Sequence, residues 1–162
     1  MKKLLFVLML AFLISCSDST TDPVDKTATK VTVEDLTTQP GFETYETSYN
    51  TYIPDTDYVD SLMSVYKSSD DQFYFYLKMD CQCNATTKLF PRMMKTLDAA
   101  GINHENINLY IMLDESYSYP EKDFITVTDL PQLFVKHGSV VLDLTSTPDS
   151  VSVESILYKS LK

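Results

Sequence analysis

Phe73-Tyr74-Phe75-Tyr76-Leu77, then Lys78-Met79-Asp80 and Cys81-Gln82-Cys83, then Asn84 to Ala100 with Pro91 inside it, form the stretch on which the fold turns. Five aromatic and aliphatic residues in a row have the length of a strand, and the lack of polar alternation means that both faces of that strand are covered. After the cysteines, Leu89, Phe90, Met93, Met94, Leu97 and Ala100 recur at helical spacing, with Gly101 placed to end the helix and Pro91 to kink it. Ile107 to Leu113 is a second apolar run. The centre of the chain therefore reads as a strand, helix, strand unit with parallel strands. Two cysteines stand between its first strand and its helix.

Downstream, Phe124 to Thr128 leads into Leu130-Pro131, Gln132 to Lys136 reads as a strand, His137-Gly138 as a tight turn and Ser139 to Leu144 as the returning strand. Val153, Ile156, Leu157 and Leu161 put one apolar stripe on a closing helix expected to begin near Pro148 or Asp149. Upstream, Asp55 is placed to cap a helix over residues 56–67 that carries Tyr58, Val59, Leu62, Met63 and Tyr66 on one side. Glu34 to Tyr52 has patchier helical spacing, interrupted at Pro40-Gly41. The aromatic segment Phe42 to Tyr66 reads as an added helical cap. Asp70-Asp71, Asp114-Glu115 and Glu121-Lys122-Asp123 read as solvated loop charges.

At the N-terminus, Met1-Lys2-Lys3 precedes the apolar run Leu4 to Ile14, which is too short for a helix to cross a hydrocarbon core of about 30 Å. Residues 1–15 read as a signal peptide. The sequence Leu13-Ile14-Ser15-Cys16 resembles a bacterial lipobox, which implies that Cys16 is lipidated and becomes the mature N-terminus. Residues 16–30 are small and polar and are expected to form a flexible tether, which leaves 31–162 as the domain. Ser17 after the lipidated cysteine resembles an outer-membrane address facing the periplasm, with Asp18 and Asp22 leaving surface display as the alternative.

The 162 residues are 44% hydrophobic and 22% charged, a globular balance that excludes wholesale disorder and a multi-span membrane protein. The formal charge is −10, and losing Lys2 and Lys3 with the signal takes it to −12. Such a field repels phosphate backbones and argues against nucleic acid as a partner. With 11 Tyr, 8 Phe, no Trp and 3 Gly, the core is expected to be rich in aromatic residues.

The order of elements resembles the thioredoxin fold over roughly residues 55–162: strand, cysteine loop, Pro-kinked helix, strand, Pro-led hairpin, last helix. The separation of eight from Cys83 to Pro91 is similar to that between the nucleophilic cysteine and the kinking proline of thioredoxins. Leu130-Pro131 looks like the dipeptide that holds the family's cis-proline, and Lys136-His137-Gly138 like its hairpin turn. Cys83-Asn84-Ala85-Thr86 and the following stretch Phe90 to Asp98 look similar to thioredoxin-family proteins of envelope-rich bacteria such as Bacteroidetes. Two departures matter: Gln82 stands where the family has Trp, and Thr86 where it has the resolving cysteine. The resemblance implies an α/β domain with a central mixed sheet flanked by helices, here with an N-terminal helical extension. It also implies a thiol-disulfide oxidoreductase or isomerase acting on protein thiols or disulfides of the cell envelope.

Cys83, at the mouth of the helix, meets unpaired N–H groups that favour thiolate, while Asp80 opposes this by like charge. Cys83 is thus the expected nucleophile, Cys81 the resolving thiol, and Leu130 and Pro131 the segment that pairs with a client strand. A disulfide across one intervening residue closes a small ring, and strained bridges are more easily reduced. Two alternatives stay open. One is a redox-inert binding lipoprotein, and the other a Cu(I) site using the two cysteines with Met79, Met93, Met94, Met112, His104 or His137. The Met residues have core spacing. No cofactor is expected, and the domain is expected to be monomeric. Replacing Cys16→Ala should release the protein from membranes and abolish incorporation of labelled fatty acid, whereas unchanged labelling would mean that Cys16 is not the anchor.

Overall fold

The central strand β2 (Asp71–Leu77) is buried along nearly all its length in the computed structural model, which describes residues 26–146 and 151–162. The signal segment, Cys16 and the first part of the tether lie outside the described residues. β2 pairs in parallel with β3 (Ile107–Ile111), Phe73 opposite Ile107, and antiparallel with β4 (Gln132–His137), Tyr76 opposite Gln132. β5 (Val140–Asp143) continues the hairpin from β4, and β1 (Thr29–Val31) lies antiparallel on the far side of β3. The result is one five-stranded mixed sheet in the order β1-β3-β2-β4-β5. The strand, helix, strand reading and its parallel pair are thus observed.

Period two sorts the β2 side chains into two different cores. Phe73, Phe75 and Leu77 point to the helical side, where they pack with Phe90, Met93, Met94 and Leu97. All five α-helices of the described residues contribute there: α1 (Val33–Thr37), α2 (Tyr45–Thr51), α3 (Thr56–Val65), α4 (Phe90–Ala99) and α5 (Val153–Ser160). Tyr74 and Tyr76 point to the other face, which no helix of the described residues covers; Tyr117, Tyr119, Ile125, Val127 and Leu130 of the β3–β4 connection close it instead. The flanking helices therefore share one face of the sheet.

Local signals account for most element ends. Asp55 accepts from the N–H groups of Asp57 and Tyr58 and caps α3 as expected. α4 ends where Gly101, at φ 65°, lets its own N–H reach Asp98 C=O and the next N–H, of Ile102, reach Leu97 C=O. α5 starts later than expected, at Val153, because Ser152 in an extended conformation caps it through Ser155 N–H. β1 corrects the tether boundary: Lys30 and Thr29 are strand residues opposite Tyr110 and Ile111, and Thr27 bridges Ser118. Small polar residues can serve as an edge strand when the neighbouring strand supplies the hydrogen bonds.

Two carboxylates expected in solvent are buried. Asp71 is fully buried; its Oδ1 lies 2.7 Å from His137 Nδ1 and its Oδ2 accepts from Lys67 N–H at 2.6 Å. Glu121 accepts from the hydroxyls of Tyr76 and Tyr110, each at 2.8 Å, while those two rings stack 5.3 Å apart. Burial first and the Glu121 carboxylate second push both hydroxyls above the ordinary phenol value, so they stay protonated donors. Glu121 thereby fastens the helix-free connection to the sheet. Glu121→Ala leaves two buried hydroxyls without an acceptor and should cost about 3 kcal/mol, read as a lowered urea midpoint; an unchanged midpoint would show that packing alone holds the connection.

Candidate functional site

β2 delivers the chain to Lys78 at one end of the sheet, and Asp80, at φ 59°, turns it into the cysteine loop. Cys81 and Cys83 are joined in a disulfide with their Cα atoms 5.2 Å apart. Both are half-buried, and Gln82 between them is exposed. The Cys83 carbonyl accepts from the N–H groups of Thr86 and Thr87, at 3.1 and 2.9 Å, and from the Thr87 hydroxyl at 3.0 Å. Cys83 therefore stands at the head of the helix, as the spacing requires. Thr86, three residues after Cys83, is buried with its Oγ1 3.4 Å from Cys83 Sγ.

The helix does not simply kink at Pro91. A π-helical turn, Ala85–Leu89, runs straight into α4, with Phe90 N–H bonded to Ala85 C=O. Pro91 has no N–H, which deprives the Thr87 carbonyl four residues earlier of its helical partner. Ser48 of α2 supplies one, its hydroxyl donating to Thr87 C=O at 2.7 Å. The added N-terminal segment thus repairs the defect that the proline creates beside the cysteines.

The same segment grips the loop itself. Asp80 N–H donates to Pro40 C=O at 3.0 Å, and Gln82 Nε2 donates to Glu43 Oε2 at 3.3 Å. The Glu43 carboxyl is held below its ordinary value, chiefly by its own backbone N–H and next by that of Gly41, so it is an anion beside the pair. None of Gly41, Glu43 and Ser48 stands out as a site residue in the sequence. The only signal was Pro40-Gly41, a turn dipeptide in a chain with three glycines.

Leu130-Pro131 is a cis peptide bond. Because Gln132 pairs with Tyr76, these two residues lie at the end of the sheet where β2 gives way to the cysteine loop. Both are buried, Leu130 within the tyrosine-rich core. The side chains of the copper alternative are scattered. Met93, Met94 and Met112 are buried in the two cores; His104 contacts Asp98, and His137 contacts Asp71 at the opposite end of β2. Among the described residues no three His, Cys, Asp or Glu side chains converge on one point, and no helix is long and apolar enough to cross a membrane. Set against protein-family models, curated proteins and solved structures, the chain matches none.

Ser48→Ala should strand the Thr87 carbonyl and lower stability by about 1 kcal/mol, with faster amide exchange at residues 85–90 than in the rest of α4. Uniform exchange along the helix would mean that solvent already satisfies this carbonyl.

Proposed function

We propose that the protein is a lipid-anchored thiol-disulfide oxidoreductase or isomerase of the bacterial envelope, with a thioredoxin-like domain. The observation that carries this reading is the Cys81–Cys83 disulfide at the head of a helix, at the sheet end that also holds the cis Leu130-Pro131. The parallel β2 and β3, the proline-led antiparallel hairpin and the closing α5 support the thioredoxin-like part.

In the oxidising direction, a client thiolate attacks Cys83 Sγ, the Cys81–Cys83 bond breaks and Cys81 leaves as a thiolate that takes up a proton. The second client thiolate then attacks its partner sulfur in the mixed disulfide. The client disulfide forms, Cys83 departs as thiolate, and two electrons have passed from client to protein. A small-molecule or protein disulfide resets the pair by the reverse exchange. At Cys83 the departing charge lies at the positive end of the helix, with the Thr86 hydroxyl 3.4 Å from its sulfur, and both favour thiolate. Without complete transfer, the same mixed disulfide can pass to another client cysteine, which is isomerisation.

A redox-inert binding lipoprotein is the second reading, favoured by the burial of Leu130 and Pro131, which leaves less backbone open to a client strand. The two separate by mutagenesis. Cys83→Ala should abolish exchange with a small-molecule disulfide, while Cys81→Ala should still attack and accumulate as a mixed disulfide visible by mass spectrometry. Trapping by Cys83→Ala instead would reverse the roles, and no exchange by the wild-type protein would favour the inert reading.

A further inference from the structure

A strap from outside the strand, helix, strand unit touches the cysteine loop at three consecutive residues. Pro40 C=O accepts from Asp80 N–H. Gly41 lies so close that a Cβ there would stand 2.8 Å from Asp80 N and 3.1 Å from Cys81 N, and its φ of 94° belongs to glycine. Glu43 accepts from Gln82 Nε2 through Oε2, and both its oxygens lie 3.1 Å from Gly41 N, so strap and loop share one carboxylate. Phe42 anchors the strap, being 2% exposed and packed edge-on to Phe90 at 6.4 Å. The strap cannot move without disturbing the core beneath the helix, and the loop cannot move without breaking from the strap.

The geometry points to Pro40–Glu43 as the control element of the cysteine pair: it holds the Cys-Gln-Cys turn in the shape in which the sulfurs bond, and sets the Glu43 charge beside a unit that becomes anionic on reduction. Both effects have the same sign. The gripped turn stabilises the disulfide, and the carboxylate, together with Asp80 in the loop itself, disfavours thiolate. The strap therefore makes the pair a weaker oxidant than the bare loop. Glu43 acts through Gln82 and is a positioning residue. This deepens the oxidoreductase reading and depends on it for its use, while its measurement needs no client.

The test equilibrates the purified full-length chain in detergent with mixtures of reduced and oxidised glutathione at fixed pH. Two glutathione thiols reduce the Cys81–Cys83 bond and leave as one glutathione disulfide; the dithiol fraction is read by alkylation and mass spectrometry. Glu43→Gln should shift the equilibrium toward the dithiol by roughly fivefold, and Gln82→Ala in the same direction by less, since it loses the contact and keeps the charge. Gly41→Ala should shift it the same way by displacing the loop; if that variant fails to fold, the other two still decide. Asp60→Asn removes an equal charge at an exposed position of α3, outside strap and loop, and should leave the equilibrium unchanged. A Glu43→Gln value within about twofold of wild type, or an equal shift in Asp60→Asn, would overturn the control role. Turnover of a small-molecule disulfide is assayed on the same samples. A shift without turnover would sink the oxidoreductase reading and keep the strap, and turnover without a shift would do the reverse.

Discussion

Burial of β2 on both faces is the constraint from which the rest of the structure follows. Its alternate residues differ in chemistry: Phe73, Phe75 and Leu77 need only apolar neighbours, whereas Tyr74 and Tyr76 bring hydroxyls into the interior. A buried hydroxyl without a partner is costly, so the second face needs an acceptor as well as an apolar cover. Glu121 is that acceptor, and it serves Tyr76 and Tyr110 together. A connection without a helix can cover a sheet face when one buried carboxylate ties it to two neighbouring strands.

The two ends of β2 are built differently. At its start, Asp71 and His137 join β2 to the β4–β5 turn, and Asn106 donates to the carbonyls of Ser68 and Asp71, so backbone and side chains close the sheet edge. At its far end the chain leaves the ladder, passes through the left-handed Asp80 and reaches the cysteines, and the contacts of the loop come from elsewhere in the sequence. The first end is organised for stability. The second is organised so that a small, half-exposed unit is held by a neighbour rather than by its own strand.

That neighbour also explains how the helix after the cysteines tolerates its proline. The chemistry of a helix-head cysteine needs an intact first turn, yet Pro91 removes a donor within two turns of it. The π-helical turn absorbs the irregularity, and Ser48 satisfies the freed carbonyl. The aromatic extension expected as a cap is accordingly part of the site's framework, through Ser48 to the helix and through Pro40 to Glu43 to the loop.

The apolar run 73–77, the helical stripe from Leu89 to Leu97 and the hairpin around His137-Gly138 are periodic patterns, and periodicity is a local property that one sequence determines by itself. The same holds for the placing of two cysteines between strand and helix, and for the Asp55 cap. Burial of a charge is not local. Asp71 and Glu121 look like any loop carboxylates until the sheet brings His137 from 66 residues away and Tyr76 from 45 residues away to meet them. Nor could spacing link Glu43 to Gln82, 39 residues apart, because tertiary contacts set that distance, among them Phe42 on Phe90 and Pro40 on Asp80. Short-range pattern determined the elements and the cysteine unit, and long-range packing alone decided which polar groups hold them in place.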